Sequence, residues 1–342
     1  MPVLEQYDAL VPTAIEKGGR RFDFDAIPVA VSTVGDTAFT AWGDGNVRAF
    51  RPGAEPGVLQ VHKGAVLSMA AEPSGLILTG GDDGRFCRIS PEGVTELAAF
   101  PRKWVDHVAA GAGGVFACSV GREVHLWNGV RREVLEAPST VGGLAFDRKG
   151  RRLAVAHYGG VTVWSREKRG WKADKLEWAG SHVGVSFGPD DRFIMSRMQE
   201  NALHGWRLRD KSDLRMSGYP NKVKGWAWAG KLPWLATTGA DEAILWPFDG
   251  AQGPMGRGPM QIAWGGRGHV TAIWALPAHE VVLAGYSSGA VILSEIDPAA
   301  EPRAVKRPTG VPIALLTVTP VTGWLLAADE QGGVLWAPLG AA

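Results

Sequence analysis

Residues 141–166 read VGGLAFDRKGRRLAVAHYGGVTVWSR and contain three short apolar strands separated by a polar turn and a glycine turn. The first strand runs from Val141 to Phe146, the second from Leu153 to Ala156, and the third ends on Trp164. The tight Gly159-Gly160 turn between the last two strands is typical of a β-hairpin. Because the same pattern recurs along the chain, it predicts a repeated β unit rather than a local motif.

The chain contains eight such units when each unit is taken to begin at the first apolar residue of its first strand. They are spaced by about 36 to about 47 residues, the length of a four-stranded propeller blade. The eight anchor residues are Val29, Val66, Val105, Val141, Val183, Val223, Val270 and Ile313. We therefore expect an all-β fold, an eight-bladed β-propeller of four-stranded antiparallel blades, with a seven-bladed propeller as the alternative.

The two ends of the chain predict how the last blade is completed. Unit eight ends after its third strand, and a surplus strand, Arg20 to Ala26, precedes unit one. If the N-terminal strand completes the last blade as its fourth strand, no inner strand is left without a partner. Residues 1–19 do not match the repeat, so we assign them to an N-terminal extension and residues 20–342 to the propeller.

Aromatic residues recur at the end of the third strand of most units. Trp occupies this position in five units, and Phe, Ile or Ser in the others: Trp127, Trp164, Trp206, Trp246, Trp336, Phe50, Ile89 and Ser294. At these positions the chain resembles the WD-repeat β-propeller family, and the resemblance covers residues 20–342. The repeats are degenerate, because Asp never follows the Trp and the family's Gly-His pair survives fully only as Gly268-His269. The resemblance implies a rigid platform that displays loops.

The charge balance and the cysteines narrow the function classes. The chain has 36 basic and 35 acidic residues and a formal net charge of +1, whereas nucleic-acid and polybasic membrane binders usually show a basic excess. Cys87 and Cys118 lack CxxC spacing and lie in apolar runs, which indicates buried free thiols in a reducing compartment. The N-terminus has no signal-peptide pattern and no apolar run is long enough to span a membrane. We expect a soluble cytoplasmic protein.

We name the four strands of each unit a to d in chain order. In such a blade the loop between strand d and the next strand a (the d–a loop) lies on the same face as the turn between strands b and c (the b–c turn). The d–a loops are basic, with His62, Lys63, Arg102, Lys103, His182, Lys222, His269, Lys306 and Arg307. The b–c turns are acidic, with Asp44, Asp82, Asp83, Glu200, Asp241, Glu242, Asp329 and Glu330. A His in the loop can bond an Asp in the turn through a buried Ser or Thr, so we expect structural pairing within blades first and a ligand site second.

Three other motifs predict no chemistry. Gly285-Tyr286-Ser287-Ser288-Gly289 matches a hydrolase elbow, but it lies between two strands and is expected to be a hairpin turn. The glycine-rich segment 253–260 lacks the Lys-Ser/Thr ending of a phosphate loop. The eight histidines form no ligand spacing. We expect no catalytic, metal or cofactor site, and no cofactor.

The candidate partner-binding residues lie in the d–a loops. Trp104 beside Arg102 and Lys103 is the most interface-like group, because Trp and Arg are enriched in binding hot spots. We add His182, Lys222 and Arg267. The sequence thus predicts a non-enzymatic scaffold that binds another protein or peptide, with no membrane partner and no nucleic acid expected. Two alternatives stay open: a propeller enzyme or small-ligand or metal binder at the central channel, and an RNA-binding scaffold.

Overall fold

Thirty β-strands and one short α-helix occur in the part of the chain that the structure, a computed structural model, describes: residues 11–277 and 279–340. Most strands are short, and every sheet is antiparallel; the strands follow chain order in each sheet except the last, where the first strand of the chain lies beside the final one. The fold is an all-β propeller built of four-stranded antiparallel blades. The predicted fold class is therefore confirmed at this level.

Three four-stranded sheets come first along the chain. The first contains β2 (Pro28–Val34), β3 (Thr37–Trp42), β4 (Asn46–Phe50) and β5 (Gly57–Gln60). The second contains β6 (Val66–Ala71), β7 (Ile77–Gly81), β8 (Arg85–Ser90) and β9 (Gly93–Ala99). The third contains β10 (His107–Gly111), β11 (Val115–Val120), β12 (Glu123–Asn128) and β13 (Arg131–Glu136).

A six-stranded sheet follows. It contains β14 (Val141–Phe146), β15 (Arg152–Glu167), β16 (Gly170–Phe187), β17 (Phe193–Met198), β18 (Leu203–Arg207) and β19 (Asp213–Met216). Two of these strands are unusually long, with 16 residues in β15 and 18 in β16. β15 contains a turn at Gly159-Gly160, so its two halves run side by side. The Arg166 amide at one end donates to the Arg151 carbonyl at 2.9 Å.

The blade count is corrected by this sheet. The strands of the described residues form seven sheets, which is the number given as the alternative, and the prediction of eight separate blades is wrong. Units four and five are joined because β16 continues without an irregular loop from its pairing with β15 into its pairing with β17. β15 holds the second and third strands of unit four, and β16 pairs with β15 through its first part and with β17 through its last part.

Three further four-stranded sheets complete the fold. The first of these contains β20 (Trp226–Ala229), β21 (Trp234–Thr237), β22 (Ala243–Pro247) and β23 (Met260–Ile262). The next contains β24 (Val270–Ala275), β25 (Val281–Tyr286), β26 (Val291–Glu295) and β27 (Arg303–Lys306). The last contains β28 (Ile313–Val318), β29 (Trp324–Asp329), β30 (Gly333–Pro338) and, from the N-terminal region, β1 (Arg20–Asp23).

The N-terminal strand completes the last sheet, as predicted. β1 pairs with β30 from Arg20 opposite Trp336 to Asp23 opposite Gly333. The helix α1 (Ala14–Gly18) precedes it and begins with a capping box formed by Thr13 and Glu16. Glu16 is buried and accepts the Arg307 amide at 3.1 Å, so part of the predicted 1–19 extension is anchored to the fold. The first ten residues of that extension lie outside the described residues.

In the third sheet the inner strands bury their side chains, and the outer strand β13 is more exposed. All six residues of β11 are buried, whereas β13 buries Leu135 and exposes Arg131, Arg132 and Glu136. Charged side chains on an outer strand discourage edge-to-edge association. Trp127 lies 5.2 Å from Phe86 of the second sheet, ring centroid to ring centroid, so this Trp packs between neighbouring sheets.

Two compact units divide the described chain. One comprises residues up to 38, 50–56 and 218 onward, and the other comprises residues 39–49 and 57–217. Each has its own buried apolar clusters. Leu78, Phe86 and Phe116 belong to a cluster in the second unit, and Val282, Tyr286 and Ile292 belong to one in the first.

Candidate interaction surface

The second sheet contains the predicted pairing between a d–a loop His and a b–c turn Asp. His62 is buried, and its Nδ1–H donates to Asp83 Oδ1 at 2.9 Å while its Nε2 accepts the Thr79 hydroxyl at 2.9 Å. Burial lowers the pKa of His62 below its ordinary 6.5, although the Asp83 carboxylate acts in the opposite direction. The ring is therefore neutral at pH 7, and its role is structural.

Three other sheets also have a buried hydroxyl that bonds a ring, and the ring is Trp, His or Tyr. The Trp42 indole donates to Thr40 Oγ1 at 2.7 Å. In the six-stranded sheet, His182 Nδ1 lies 2.7 Å from the Ser196 hydroxyl. In the β20–β23 sheet, Tyr219 bonds Thr237 at 2.8 Å and accepts the Trp246 indole N–H at 2.7 Å. A buried ring-to-hydroxyl bond is thus the recurring feature, and the carboxylate is not.

The other acidic turns use their carboxylates mainly on their own backbone. Asp44 accepts the Asn46 amide at 3.0 Å, and Asp329 accepts the Gln331 amide at 3.0 Å. Side chains of Asp at such positions commonly close a turn in this way. The predicted pairing is wrong for His182, because its Nε2–H donates to the Trp178 carbonyl at 3.1 Å rather than to an acid.

The loop between β9 and β10 places one large aromatic side chain in solvent. Trp104 is 63% exposed, whereas the neighbouring Val105 is fully buried among the apolar residues of the second and third sheets. Backbone bonds hold the loop on both sides: the Lys103 amide donates to Phe100 O at 3.1 Å and the Val105 amide to Gly81 O at 3.0 Å. The indole is therefore presented outward by a fixed backbone.

Arg102 adopts a left-handed backbone conformation, with φ of 63°. A non-glycine residue in this region is uncommon and carries about 1 kcal/mol of conformational strain. Observed strain of this kind is a reason to look for a functional role. Arg267, another predicted contact residue, has φ of 58°.

A cavity of about 440 Å³ lies beside Trp104. It is lined by the d–a loop residues Arg102, Lys103, Trp104 and Asp106 and by the b–c turn residues Val120, Gly121, Arg122 and Glu123. Arg122 Nε donates to Glu136 Oε1 at 2.9 Å, whereas no ion pair involves Arg102 or Lys103 among residues 11–277 and 279–340. Arg122 is not among the predicted contact residues, because the b–c turn of unit three carries no Asp. The glycine before it, Gly121, is the sequence signal that marks this turn.

The six predicted contact residues are not equally available. Arg102, Lys103 and Trp104 are exposed and adjacent, and Arg267 is exposed in the other compact unit. Lys222 is half-buried in that same unit. His182 is 1% exposed with both ring nitrogens in hydrogen bonds, so it is not positioned to contact a partner.

The remaining motifs behave as structural elements. Ser288 lies in the turn between β25 and β26, where its hydroxyl donates to the Gly266 carbonyl at 2.5 Å, so the hydrolase-like pattern is a hairpin turn as predicted. Cys87 and Cys118 are buried free thiols, and burial raises the pKa of Cys87 to about 11.

Two further cavities occur. One of about 380 Å³ lies along β20, β24 and β28, where Lys224 Nζ is 3.7 Å from Glu330 Oε1. Another of about 450 Å³ is lined by His157, Tyr158 and Trp178. In the described part of the chain, no three His, Cys, Asp or Glu side chains are grouped so that they could hold a metal ion. The described helix is far too short and too polar to cross a membrane.

Comparisons with known proteins support the fold alone. No family model matches the chain, and no curated protein matches it. Solved structures do match, 1653 chains in number, so the likeness does not single out a function. One is the crystal structure of the computationally designed Ika8 protein, which aligns with a TM-score of 0.71 over 92% of this chain and 97% of that one, at 13% identity.

Proposed function

We propose that this protein is a non-enzymatic, cytoplasmic scaffold that binds another protein through the Trp104 surface, which we define as Arg102, Lys103, Trp104 and Arg122. Propeller folds commonly serve as such scaffolds, and function in them lies in loops carried by a rigid frame. We further propose that the chain is a degenerate WD-repeat propeller. The positions of Trp127, Trp206 and Trp336 at the ends of buried third strands support this assignment.

One observation carries the proposal: the 63% exposed indole of Trp104, which stands on a fixed loop beside a cavity and two unpaired cations. Trp and Arg contribute more to binding energy than other residues when a partner buries them. A loop already fixed in the binding conformation loses little entropy on association. The charges favour a partner surface that offers carboxylates around an apolar centre. The buried free thiols are consistent with a reducing compartment.

Affinity capture from the native cell, with quantitative comparison of variants, tests this function. Trp104→Ala is expected to lose the specific partner, because the apolar centre of the contact is removed. Tyr158→Ala is the matched control, since Tyr158 is another exposed aromatic residue, at 68%, away from this surface. The proposal fails if Trp104→Ala and Tyr158→Ala retain the same proteins.

Arg102→Gly separates binding from folding. Glycine adopts a φ of 63° without strain, so this variant is expected to be at least as stable as the wild type while it weakens capture. If Arg102→Gly captured the partner as well as the wild type does, Arg102 would not be part of the binding surface.

A further inference from the structure

The six-stranded sheet carries a concentrated positive charge that the overall balance conceals. Nine basic and two acidic residues lie between positions 148 and 175, in a chain whose net charge is +1. We define the basic edge by six exposed members of this group: Arg148, Lys149, Arg151, Lys168, Arg169 and Lys172.

Two turns bring these residues together. The Arg166 amide donates to the Arg151 carbonyl at 2.9 Å, which sets the turn before β15 beside the hairpin between β15 and β16. In that hairpin Arg166 pairs with Trp171 and Glu167 with Gly170, so Lys168 and Arg169 form its tip. The basic edge is therefore one surface, built from two loops at the same end of the sheet.

Two nearby acids, Asp147 and Asp174, already pair with groups outside the basic edge or with the backbone. Asp147 accepts the Arg151 and Arg152 amides at 2.7 and 3.0 Å and pairs with the Arg152 guanidinium at 2.9 Å. Asp174 pairs with Lys211 at 2.5 Å. Among residues 11–277 and 279–340, no ion pair involves any of the six side chains of the basic edge. Six exposed cations at one end of a sheet favour an anionic partner.

An open strand edge lies next to this charge. The first part of β16 pairs with β15 on one side, and no strand of the described chain pairs with residues 170–179 on the other side. Lys172, Ala173 and Lys175 are exposed along it. An extended peptide can add to such an edge through main-chain hydrogen bonds, with side-chain charges providing selectivity.

We propose that the basic edge binds an extended acidic segment of a protein partner, added as a strand beside residues 170–179 of β16. Carboxylates of the segment would meet Lys168, Arg169 and Lys172, and its backbone would pair with the open strand.

Other polyanions fit this surface less well. Single-stranded nucleic acid is usually held by exposed aromatic rings, but Trp164 and Trp171 pack against the buried cluster that contains Leu126 and Leu153. An anionic membrane surface favours exposed apolar side chains beside the charges. The large exposed apolar side chain in segment 148–175 is that of Tyr158. It lies near the Gly159-Gly160 turn of β15, at the opposite end of this hairpin from Arg166.

Fluorescence anisotropy with three defined probes tests the proposal. The probes are a labelled peptide of about ten alternating Glu and Thr residues, the same peptide with Gln for Glu, and single-stranded oligothymidylate of about twenty nucleotides. We expect the Glu peptide to bind more tightly than both others, and its affinity to fall as salt is raised.

Charge reversal locates the binding site. The double variant K168E/R169E is expected to weaken Glu-peptide binding about tenfold, because attraction becomes repulsion at the hairpin tip. The control variant K231E/R303E reverses two exposed cations outside the basic edge and is expected to bind as the wild type does. Unfolding midpoints of both variants verify that each is folded.

Three results would overturn the proposal. The first is tighter binding of oligothymidylate, or of phosphatidylserine vesicles, than of the Glu peptide. The second is equal loss in the two charge-reversal variants, or no loss in either. The third is Glu-peptide binding without slower hydrogen exchange at the amides of residues 170–179. Trp104→Ala should bind the Glu peptide normally, so a failure here is distinguishable from failure of the Trp104 surface.

Discussion

The second sheet and the β17 end of the six-stranded sheet differ in how they use a buried histidine. His62 and His182 each bond a hydroxyl on a second strand, Thr79 or Ser196. The His62 ring then bonds a carboxylate, whereas the His182 ring bonds a main-chain carbonyl. Both sheets therefore share the ring-to-hydroxyl bond, and the acid is present in only one of them.

The two histidine networks also differ in the size of the residue on the neighbouring strand. A Cβ added to Gly81 would lie 2.3 Å from His62 Nδ1, so glycine leaves room for the ring and for Asp83. Gly81 pairs with Val66, and the residue in the same register of the other sheet, opposite His182, is Met198. The six-stranded sheet therefore has a methionine at the register position where the second sheet has the glycine beside Asp83.

The largest effect is expected from removing the histidines. His62→Ala should lower the free energy of unfolding by about 3–4 kcal/mol, because it opens a cavity and leaves Thr79 and Asp83 without their partner. His182→Ala should lower it by about 2–3 kcal/mol, because no carboxylate loses a partner. Urea unfolding measures both. Equal losses would show that Asp83 adds nothing to the first network.

Acidification is expected to destabilise the protein through its buried histidines, and through His204 of the six-stranded sheet most of all. His204 is fully buried between Trp178 and Trp206, both ring nitrogens lack a hydrogen-bond partner in the described structure, and burial lowers its pKa to about 4 from the ordinary 6.5. Above pH 6.5 the ring is neutral in both states. Below it the unfolded chain binds the proton first, so stability falls between pH 6.5 and pH 4, by about 3 kcal/mol in total from this residue.

The measurement is urea unfolding of the wild type and of His204→Phe from pH 8 to pH 4. Since His62 and His182 also have lowered pKa values, the variant should still lose stability on acidification, but less than the wild type. Identical pH profiles would exclude His204 as the main buried titrating group.

A smaller effect separates the two acidic turns. Asp83→Ala should cost about 1–2 kcal/mol, because the carboxylate accepts the Lys63 amide at 3.0 Å and the Arg85 amide at 3.1 Å as well as the His62 ring. Glu200→Ala, in the corresponding turn of the other sheet, should change stability by less than about 0.5 kcal/mol because Glu200 is exposed. Thermal or urea unfolding distinguishes the two, and a larger loss for Glu200→Ala would reverse the comparison.

One further effect has the opposite sign. His204→Phe should stabilise the protein at pH 7 by about 1 kcal/mol, because it replaces a buried ring with two unpaired polar nitrogens by an apolar ring of similar shape. Destabilisation in the same urea experiment would mean that the imidazole nitrogens have a partner, such as a bound water.

Much of the frame is predictable from local sequence. The missing strand of unit eight and the surplus strand before unit one predict the pairing of β1 with β30, since both are visible as strand counts. The joining of units four and five is not predictable by counting, because it depends on whether β16 continues without a break from one unit into the next. Likewise, the anchoring of Glu16 at Arg307 joins residues 291 positions apart.

The surfaces are predictable in part. Trp104 stands out because tryptophan falls outside the recurring third-strand position, and the structure exposes it. His182 looks equivalent to the loop residues in sequence, yet it is buried, because the connection before β17 is part of one continuous strand. The net charge of +1 does not reveal the basic edge, because it is a sum over the whole chain and carries no information about where the charges lie.

The central claim is that buried loop residues hold the frame while exposed ones bind a partner. Paired measurement of unfolding free energy and of partner capture for Trp104→Ala tests it most directly. The account predicts wild-type stability within about 0.5 kcal/mol, together with loss of the captured partner. Retained capture, or loss of capture only in step with loss of stability, would contradict it.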